Sequence, residues 1–398
     1  MRIGLFTNNY RPLVNGVATS VDTFACAFRN AGHRVTIVAP RYPTGARDDG
    51  DIVRVRGLRA PTHHAYVLPA SRWPGLRQAV LARDLDVFHA QHPYLLGAAA
   101  KRWSRETVRP LVFTYHTRYD RYAHYIPGPA RLVARLAIRG ALRFAEMADL
   151  VIAPAPSVAR DLAARGVRTP VEVIPTGVPL TPSMADEARS ARRLELGLAA
   201  GDLLCLSVGR LAREKNQAFL LHAFSRVIRE LPTARLVLVG DGDDRPHLAR
   251  LAEDLGIRPR VDFVGSVPHE RIADFTSVAD LFLFPSTSET QGLAALEALA
   301  GGLPVIAVTS EAAADLLADK PAGVLCPEDP DAFARCVLTL WAMPERRRTM
   351  ASAARRVAAR YAPEVAAATL LGLYQELCRN RHPAIASSIS TRSREAQM

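Results

Sequence analysis

The sequence predicts an α/β protein with two Rossmann-like domains, each a parallel sheet wound on both faces by helices. Short β-rich apolar runs alternate with longer helical stretches, and this alternation occurs in two successive series along the chain. The 398 residues, of which 49% are hydrophobic and 23% charged, suffice for two domains with sizeable cores. A fibrous or disordered chain is thereby excluded.

The first series of strands defines an N-terminal domain over residues 1–178, with strands predicted at 3–7, 35–39, 87–90, 111–115, 150–153 and 171–174. The second defines a C-terminal domain over residues 179–362, with strands predicted at 203–208, 235–239, 261–264, 281–284 and 305–308. A Pro- and Ser-containing segment, 176–190, is the predicted hinge. Ligands of such sheets bind outside the carboxyl ends of the strands, so site residues are expected in the loops that follow these runs.

The most informative stretch is 281–308, LFLFPSTSETQGLAALEALAGGLPVIAV, which predicts a strand, a loop, a helix from near Gly292 and another strand. Glu289 lies in the loop and Glu297 in the helix, with seven residues between them. Glu297 is surrounded by Leu and Ala, has no basic residue four positions away, and would be costly to bury unpaired. A lone glutamate on a helix usually points to solvent. The paired spacing favours a polar ligand instead.

A second signature, GRLAREKN at 209–216, separates the strand at 203–208 from a helical stretch at 217–229. A glycine turn between a strand and a helix N-terminus binds anions, because unpaired amides and the helix dipole favour negative charge there. Arg210 and Lys215 would add full positive charge. Lysine is otherwise found only at positions 101 and 320, so an ammonium at 215 indicates a point-charge contact to a phosphate.

These two segments resemble the family-four retaining glycosyltransferases of the GT-B fold, whose two domains face a central cleft. In that family two glutamates at this spacing follow Phe-Pro-Ser and precede Gly-Leu-Pro-Val. The resemblance implies a nucleotide-sugar donor: Glu289 would hold sugar hydroxyls and Glu297 the ribose hydroxyls. It further implies that the leaving diphosphate is neutralised by Arg210, Lys215 and amides near Gly292 and Leu293. Gln291 stands where an aromatic residue is commoner in the family.

The N-terminal domain is expected to supply the acceptor site. Residues 1–16, MRIGLFTNNYRPLVNG, predict a strand and a loop that ends where a helix begins, so Gly16 could let the backbone approach a phosphate or sugar. The alternative is that Gly16 is an ordinary turn glycine without a role in ligand binding. The run TYHTRYDRYAHYIP resembles lipid glucosyltransferases that use diacylglycerol, which implies that His116 lies near the donor sugar and reaction centre. His92, in AQHPYLLG, has a family counterpart without a clear role.

A net charge of +12 points to an anionic partner: a substrate, a membrane surface or nucleic acid. Arginine recurs every fourth position at 131, 135, 139 and 143 with leucines interspersed, forming a basic stripe that suits either solvent or an anionic bilayer. The resemblance favours the membrane. Nucleic acid is disfavoured because the charge is dispersed and no binding module is present. With neither signal peptide nor spanning helix expected, and five cysteines predicted to be reduced and buried, a cytoplasmic enzyme on the inner face of the membrane is predicted.

The predicted activity is transfer of a hexose from a nucleotide sugar, first UDP-glucose and second GDP-mannose, to a hydroxyl of diacylglycerol or a glycolipid. A sugar-nucleotide epimerase of the same fold is an alternative. A metal is not expected, because the Asp241-Gly242-Asp243-Asp244 run follows a strand directly, where such clusters make turns. In the family a C-terminal helix, here 363–379, returns to the N-terminal domain, and 380–398 is predicted to be a disordered tail.

Overall fold

The computed structural model describes residues 1–13, 15–43, 50–60, 63–73, 75–118, 130–182, 184–199, 201–318 and 320–381. The chain divides into two compact units. One consists of residues 1–177 together with the segment from Pro363, and the other is the continuous stretch Val178–Ala362. Each has its own parallel sheet flanked by helices, so the predicted α/β class with two doubly wound domains is confirmed.

The strands of the N-terminal unit are β1 (Arg2–Phe6), β2 (Arg34–Pro40), β3 (Asp51–Val55), β4 (Gly57–Ala60), β5 (His63–Pro69), β6 (Val87–Ala90), β7 (Leu111–Thr114), β8 (Leu150–Ala153) and β9 (Val171–Val173). The sheet has the order β3-β2-β1-β6-β7-β8-β9 with parallel pairing throughout. β4 and β5 form a separate antiparallel hairpin.

The helices of residues 1–177 are α1 (Gly16–Asn30), α2 (Leu76–Leu81), α3 (Leu96–Glu106), α4 (Ala130–Ala145) and α5 (Pro156–Ala164). They cover both faces of the sheet, and β6, β7 and β8 are therefore buried over their whole length. A strand buried on both faces is apolar at consecutive positions, which explains why these runs do not alternate with polar residues.

The C-terminal unit contains β10 (Leu204–Val208), β11 (Arg235–Val239), β12 (Val261–Gly265), β13 (Leu281–Phe284), β14 (Val305–Val308) and β15 (Gly323–Cys326). Its helices are α6 (Asp186–Glu195), α7 (Gln217–Glu230), α8 (Arg245–Asp254), α9 (Ile272–Thr276), α10 (Leu293–Ala300), α11 (Glu311–Leu317), α12 (Pro330–Trp341) and α13 (Pro344–Ala359). The sheet order is β12-β11-β10-β13-β14-β15. Residues of β10 alternate between two cores, Cys205 on one face and Leu204 and Leu206 on the other.

The last helix, α14 (Pro363–Arg381), belongs to the N-terminal unit, where it packs against α1. Leu370 and Tyr374 lie in the same core as Ile3 and Phe28. The buried hydroxyl of Tyr374 lies 2.6 Å from Nδ1 of His89, and Nε2 of that imidazole lies 2.7 Å from Oγ1 of Thr114. The predicted tail at 380–398 begins too early, because Asn380 and Arg381 are the last residues of α14, and residues 382–398 lie outside the described residues.

Several elements differ from the sequence-based expectation. β3, the β4–β5 hairpin and β15 are strands that the apolar runs do not predict. β3 and β15 are edge strands, and β3 carries Asp51 and Arg54, so the apolar signal of a central strand is missing. The predicted hinge at 176–190 includes the start of α6. The expectation of buried cysteines is wrong for Cys26, which is exposed, and for Cys336, which is half-buried.

Candidate active site

The two signatures of the C-terminal unit meet at the carboxyl edge of its sheet. β10 leads into Gly209 and Arg210, and β13 leads into the loop that carries Glu289. β10 and β13 are neighbouring parallel strands, and the strand order changes direction between them. In open α/β sheets such a switch point leaves a crevice between diverging connections, which is where ligands bind.

Lys215 and Glu289 form an ion pair across this crevice. The distance from Lys215 Nζ to Glu289 Oε1 is 2.5 Å, and the side chains are 15% and 23% exposed. Lys215 ends a short 3-10 turn, and Asn216 follows in the left-handed conformation with φ 63° before α7 begins. Asparagine tolerates this conformation better than most residues, so it lets the chain turn into the helix directly after the lysine.

Arg210 lies in the same loop, where its guanidinium donates to the carboxylate of Glu214. The buried amide of Gln217 donates to the Arg210 carbonyl at 3.0 Å. Ser288 Oγ donates to the Glu214 carbonyl at 2.8 Å and thereby joins the loop after β13 to the loop after β10. The side chains of Arg210 and Lys215 therefore lie on a loop that is hydrogen-bonded to the loop after β13, beside the N-terminus of α7.

Gly292 and Leu293 form the N-terminus of α10. Gly292 has φ 80°, and a Cβ at this position would lie 3.4 Å from the ring of Phe284. Glycine is therefore favoured by the left-handed conformation, while a Cβ would meet the Phe284 ring only at ordinary contact distance. The backbone amides that begin α10 have no partner within the helix, as at any helix start, and lie at the carboxyl edge of β13.

Glu297 lies one turn further along α10, with its side chain only 14% exposed. Burial raises the pKa of its carboxyl to about 7, while His269, whose Nε2 lies 3.6 Å from Oε1, acts in the opposite direction. Sequence reasoning missed His269 because it lies in the 3-10 turn after β12, far from Glu297 in the chain. The absence of a basic residue on α10 itself was the available signal, since a buried carboxylate needs a partner from elsewhere.

In the N-terminal unit, Gly16 is the first residue of α1 and lies in the loop after β1. Asn15 caps this helix: its Oδ1 accepts hydrogen bonds from the amides of Val17 and Ala18 at 3.1 and 3.0 Å. The Nδ2 group of Asn15 is buried and finds no partner among the described residues. A buried amide donor without a partner is costly, so this helix start is suited to an acceptor-rich ligand.

His116 follows β7 at the carboxyl edge of the N-terminal sheet, and His92 follows the neighbouring strand β6. Nε2 of His116 lies 2.7 Å from Oε1 of Gln91, so this nitrogen carries the hydrogen and donates it. His92 Nδ1 accepts from the Asn8 amide at 3.1 Å. Burial lowers the pKa of both imidazoles, to about 4 for His92, and both are therefore neutral at pH 7. Residues 119–129 of the tyrosine-rich run lie outside the described residues.

The aspartates at 241–244 form a turn. Asp241 Oδ1 accepts from the Gly242 amide at 2.8 Å, and its other oxygen lies 3.4 Å from Arg245. Asp244 lies 3.3 Å from the imidazole of His247. Within the described ranges, no group of three or more His, Cys, Asp or Glu side chains has the arrangement of a metal site.

The arginine stripe lies on α4, and Arg131, Arg135, Arg139 and Arg143 are all exposed. The same face exposes Leu132 by 54% and Leu136 by 60%. An open apolar groove runs beside the arginines, lined by Ile138 and Leu142. None of the helices that the structure describes is both long and apolar enough to span a bilayer. The exposed face of α4 therefore combines positive charge with large apolar side chains.

The chain matches two families of known proteins over most of its length. Residues 14–181 match the family described as Glycosyltransferase Family 4, and residues 189–357 match Glycosyl transferases group 1. Its fold is similar to that of sucrose-phosphate synthase from Thermosynechococcus elongatus, with a TM-score of 0.79 and 23% identity over 94% of this chain and 98% of that chain.

Two curated relatives are more similar in sequence. An alpha-monoglucosyldiacylglycerol synthase of Streptococcus pneumoniae is 34% identical over 357 residues, which cover 87% of this chain and 79% of the relative. A GDP-mannose-dependent alpha-(1-6)-phosphatidylinositol dimannoside mannosyltransferase of Mycobacterium tuberculosis is 30% identical over 382 residues, which cover 93% and 95%. The chain belongs to the family-four glycosyltransferases of the GT-B fold, enzymes that use nucleotide-sugar donors.

Proposed function

We propose that this enzyme transfers glucose from UDP-glucose, with retention of configuration and without a metal, to a hydroxyl of diacylglycerol or a glycolipid at an anionic membrane surface. The observation that carries the proposal is the cluster at the carboxyl edge of the C-terminal sheet, where Lys215 pairs with Glu289 beside the N-terminus of α10. The loop after β10 also carries a second cation, Arg210, and α10 carries the largely buried carboxylate of Glu297.

The cluster matches the parts of a nucleotide sugar. Hydroxyls of a sugar or ribose donate hydrogen bonds to ionised carboxylates, which suits Glu289 for the sugar and Glu297 for the ribose. The diphosphate between them needs positive charge and amide donors, which Arg210, Lys215 and the backbone at Gly292 and Leu293 supply. Donor binding would draw Lys215 from its carboxylate partner towards the phosphates and leave Glu289 available to the sugar hydroxyls.

In the reaction, the bond from the sugar C1 to the phosphate oxygen breaks and a bond from C1 to the acceptor oxygen forms on the same face. The acceptor hydroxyl gives its proton to the departing phosphate oxygen. Negative charge grows on the diphosphate as C1 leaves, and preorganised cations and amides stabilise it most at that moment. Arg210 and Lys215 fill the role that a divalent metal fills in other transferases.

His116 and Gly16, both in the N-terminal unit, are assigned to the donor: His116 to its sugar and the reaction centre, and Gly16 to its phosphate and sugar. The neutral imidazole of His116, fixed by Gln91, offers an uncharged hydrogen-bonding edge near the donor sugar and reaction centre. The amides at Gly16 and the partnerless Nδ2 of Asn15 would face the donor's phosphate and sugar. Both assignments rest on the family motif, with the local geometry as support.

The choice of sugar and acceptor rests on the relatives. The Streptococcus pneumoniae relative makes a glucosylated diacylglycerol by its name, and it has the higher identity of the two. GDP-mannose is the second candidate donor, because the Mycobacterium tuberculosis relative is GDP-mannose-dependent by its name and is matched over more of this chain. The exposed arginine and leucine face of α4 supports a membrane-borne acceptor, and with it a peripheral position on the cytoplasmic side.

The proposal is tested by measuring hexose transfer to a lipid acceptor. Purified protein is mixed with UDP-glucose or GDP-mannose and with vesicles that contain diacylglycerol and an anionic lipid, and the lipid fraction is analysed for added hexose. The expected product is an α-glucosyl diacylglycerol, formed equally well in the presence of a metal chelator. Transfer from GDP-mannose alone would favour the second donor, and transfer only to soluble sugars would overturn the lipid acceptor.

A further inference from the structure

The imidazole of His269 lies close to the largely buried carboxylate of Glu297. Its Nε2 lies 3.6 Å from Glu297 Oε1, beyond a hydrogen bond but within ion-pair reach. The side chain of His269 is 43% exposed and that of Glu297 is 14% exposed, so a solvent-accessible imidazole lies beside a largely buried carboxylate. The 3-10 turn His269–Arg271 is preceded by Pro268, follows β12 after three residues, and runs straight into α9.

The residues that surround Glu297 are mostly apolar and do little to stabilise a negative charge on its carboxylate. Ala295, Leu296, Ala298, Leu299 and Ala300 of its own helix are buried, and the adjoining strands β13 and β14 are apolar throughout. Burial among these residues raises the pKa of Glu297 to about 7, while the electrostatic interaction with His269 acts to lower it.

Cations on the other neighbouring elements are engaged elsewhere. Arg355 of α13, the helix packed on α10, donates to the carbonyls of Thr181 and Gly301 at 2.8 and 3.5 Å. Arg271 lies 3.1 Å from Asp274 on α9. Lys215 is paired with Glu289. None of these three is among the groups that act on the Glu297 carboxyl, whereas His269 is.

We propose that His269 is a positioning residue that keeps Glu297 ionised and aimed at the ribose, and so makes donor affinity depend on pH near neutrality. This inference rests on the proposed donor site. Ribose hydroxyls are donors and bind a carboxylate better than a protonated carboxyl, which has only one free acceptor oxygen. When ribose arrives, a proton on Glu297 leaves its oxygen and is released to solvent.

The sign of the pH dependence follows. Affinity for the donor rises as pH increases through about 7, because Glu297 loses its proton in that range. Without His269, the pKa of Glu297 lies higher, so the rise in affinity moves to higher pH. Well above that range Glu297 is ionised with or without the histidine, and the presence of the histidine then ceases to matter.

The test is calorimetric titration with UDP-glucose between about pH 6 and pH 9, a range in which its diphosphate does not change charge. His269→Gln should weaken affinity by up to about tenfold near pH 7, the effect of one pKa unit, and by little at pH 9. His269→Lys, which keeps a cation, should restore the native profile. His247→Gln serves as the matched control, since His247 also lies beside a carboxylate, Asp244, on an exposed surface.

Two outcomes separate this inference from the function on which it rests. If the native protein binds no UDP-sugar or GDP-sugar at any pH, the donor site itself is wrong. If the native protein binds UDP-glucose but His269→Gln shows the same pH profile, or loses affinity equally at all pH values, then His269 does not control Glu297. In a Glu297→Gln background, His269→Gln should add no further loss, which a merely structural role of His269 would not predict.

Discussion

Lys215 and Glu289 hold each other in place before any donor is present. Their 2.5 Å contact keeps the ammonium and the carboxylate ordered in a crevice where each is mostly buried. A preordered site loses less entropy when a ligand binds, because the side chains that contact it are already immobilised. The same pairing means that removing either residue deprives the other of a mostly buried counter-charge.

We therefore expect Glu289→Ala and Lys215→Ala each to reduce turnover by more than about tenfold, since each removes a charged contact made in the transition state. Steady-state rates on UDP-glucose and a lipid acceptor measure the effect. Lys101→Ala is the control, because Lys101 lies on α3 of the N-terminal unit. Near-native turnover in a folded Glu289→Ala protein would contradict the donor-site assignment.

Glu297→Gln should weaken binding of both UDP and UDP-glucose by roughly 1 to 3 kcal/mol, the value of a lost charged hydrogen bond. Calorimetric titration decides between this and a helix that faces elsewhere. Unchanged affinity for every nucleotide tested would show that Glu297 does not contact the ribose.

The same substitution has a stability signature with a definite sign. The pKa of Glu297 is raised from 4.5 to about 7 in the folded protein, so the carboxyl contributes stability below pH 4.5 that is lost as pH rises through 7. Glu297→Gln carries no such loss. Thermal denaturation should show that the free energy of unfolding of the variant, relative to that of the native protein, increases by roughly 1 to 3 kcal/mol between pH 4 and pH 8. A constant difference across this range would contradict the assigned pKa.

Among the elements, α4 combines exposed arginines and exposed leucines on one face. Its arginines and leucines alternate on the solvent side, although each exposed leucine forgoes the free energy of burial. A basic amphipathic helix recovers that free energy at an anionic bilayer, where each arginine adds about 1 kcal/mol at low salt.

Replacing Arg131, Arg135, Arg139 and Arg143 with glutamine should weaken cosedimentation with anionic vesicles and lower activity on lipid acceptors, while nucleotide binding stays native. Added salt should mimic the substitutions, because it screens exposed charges. Glutamine at Arg346, Arg348, Arg356 and Arg360, exposed arginines on or next to α13, removes the same charge from the other unit as a control. If the native protein ignores anionic vesicles at low ionic strength, a soluble acceptor becomes the better assignment.

The elements also show what the sequence could and could not predict. Glu289 and Lys215 could be placed near each other because each follows an apolar run, and adjacent parallel strands end at one edge. The pairing of β10 with β13, which the sequence does not reveal, brings Lys215 and Glu289 together although they are 74 positions apart in the chain. His269 could not be found this way, because a short turn after β12 carries no periodic signal. Edge strands such as β3 escaped for a related reason: half of their residues face solvent and are polar.

For the molecule as a whole, the hydrogen bond between Tyr374 and His89 attaches the end of the chain to the centre of the N-terminal sheet. Tyr374→Phe keeps the ring packing but leaves the buried imidazole without this partner. We expect a loss of about 1 to 3 kcal/mol in unfolding free energy, with UDP-glucose affinity unchanged. Denaturant titration and calorimetry measure the two quantities. A variant as stable as the native protein would mean that the hydroxyl contributes nothing to holding α14.

The position of α14 also bears on the order in which a ribosome can complete the two units. Residues 178–362 are contiguous and have emerged before α14 has been made, whereas the N-terminal core lacks Leu370 and Tyr374 until the last part of the chain appears. Synthesis therefore completes the C-terminal unit first, and the N-terminal unit keeps part of its apolar core exposed until α14 has been made. A chain that ends between residue 362 and α14 leaves Phe28 without the packing of Leu370 and Tyr374, and exposed apolar surface of this kind favours aggregation.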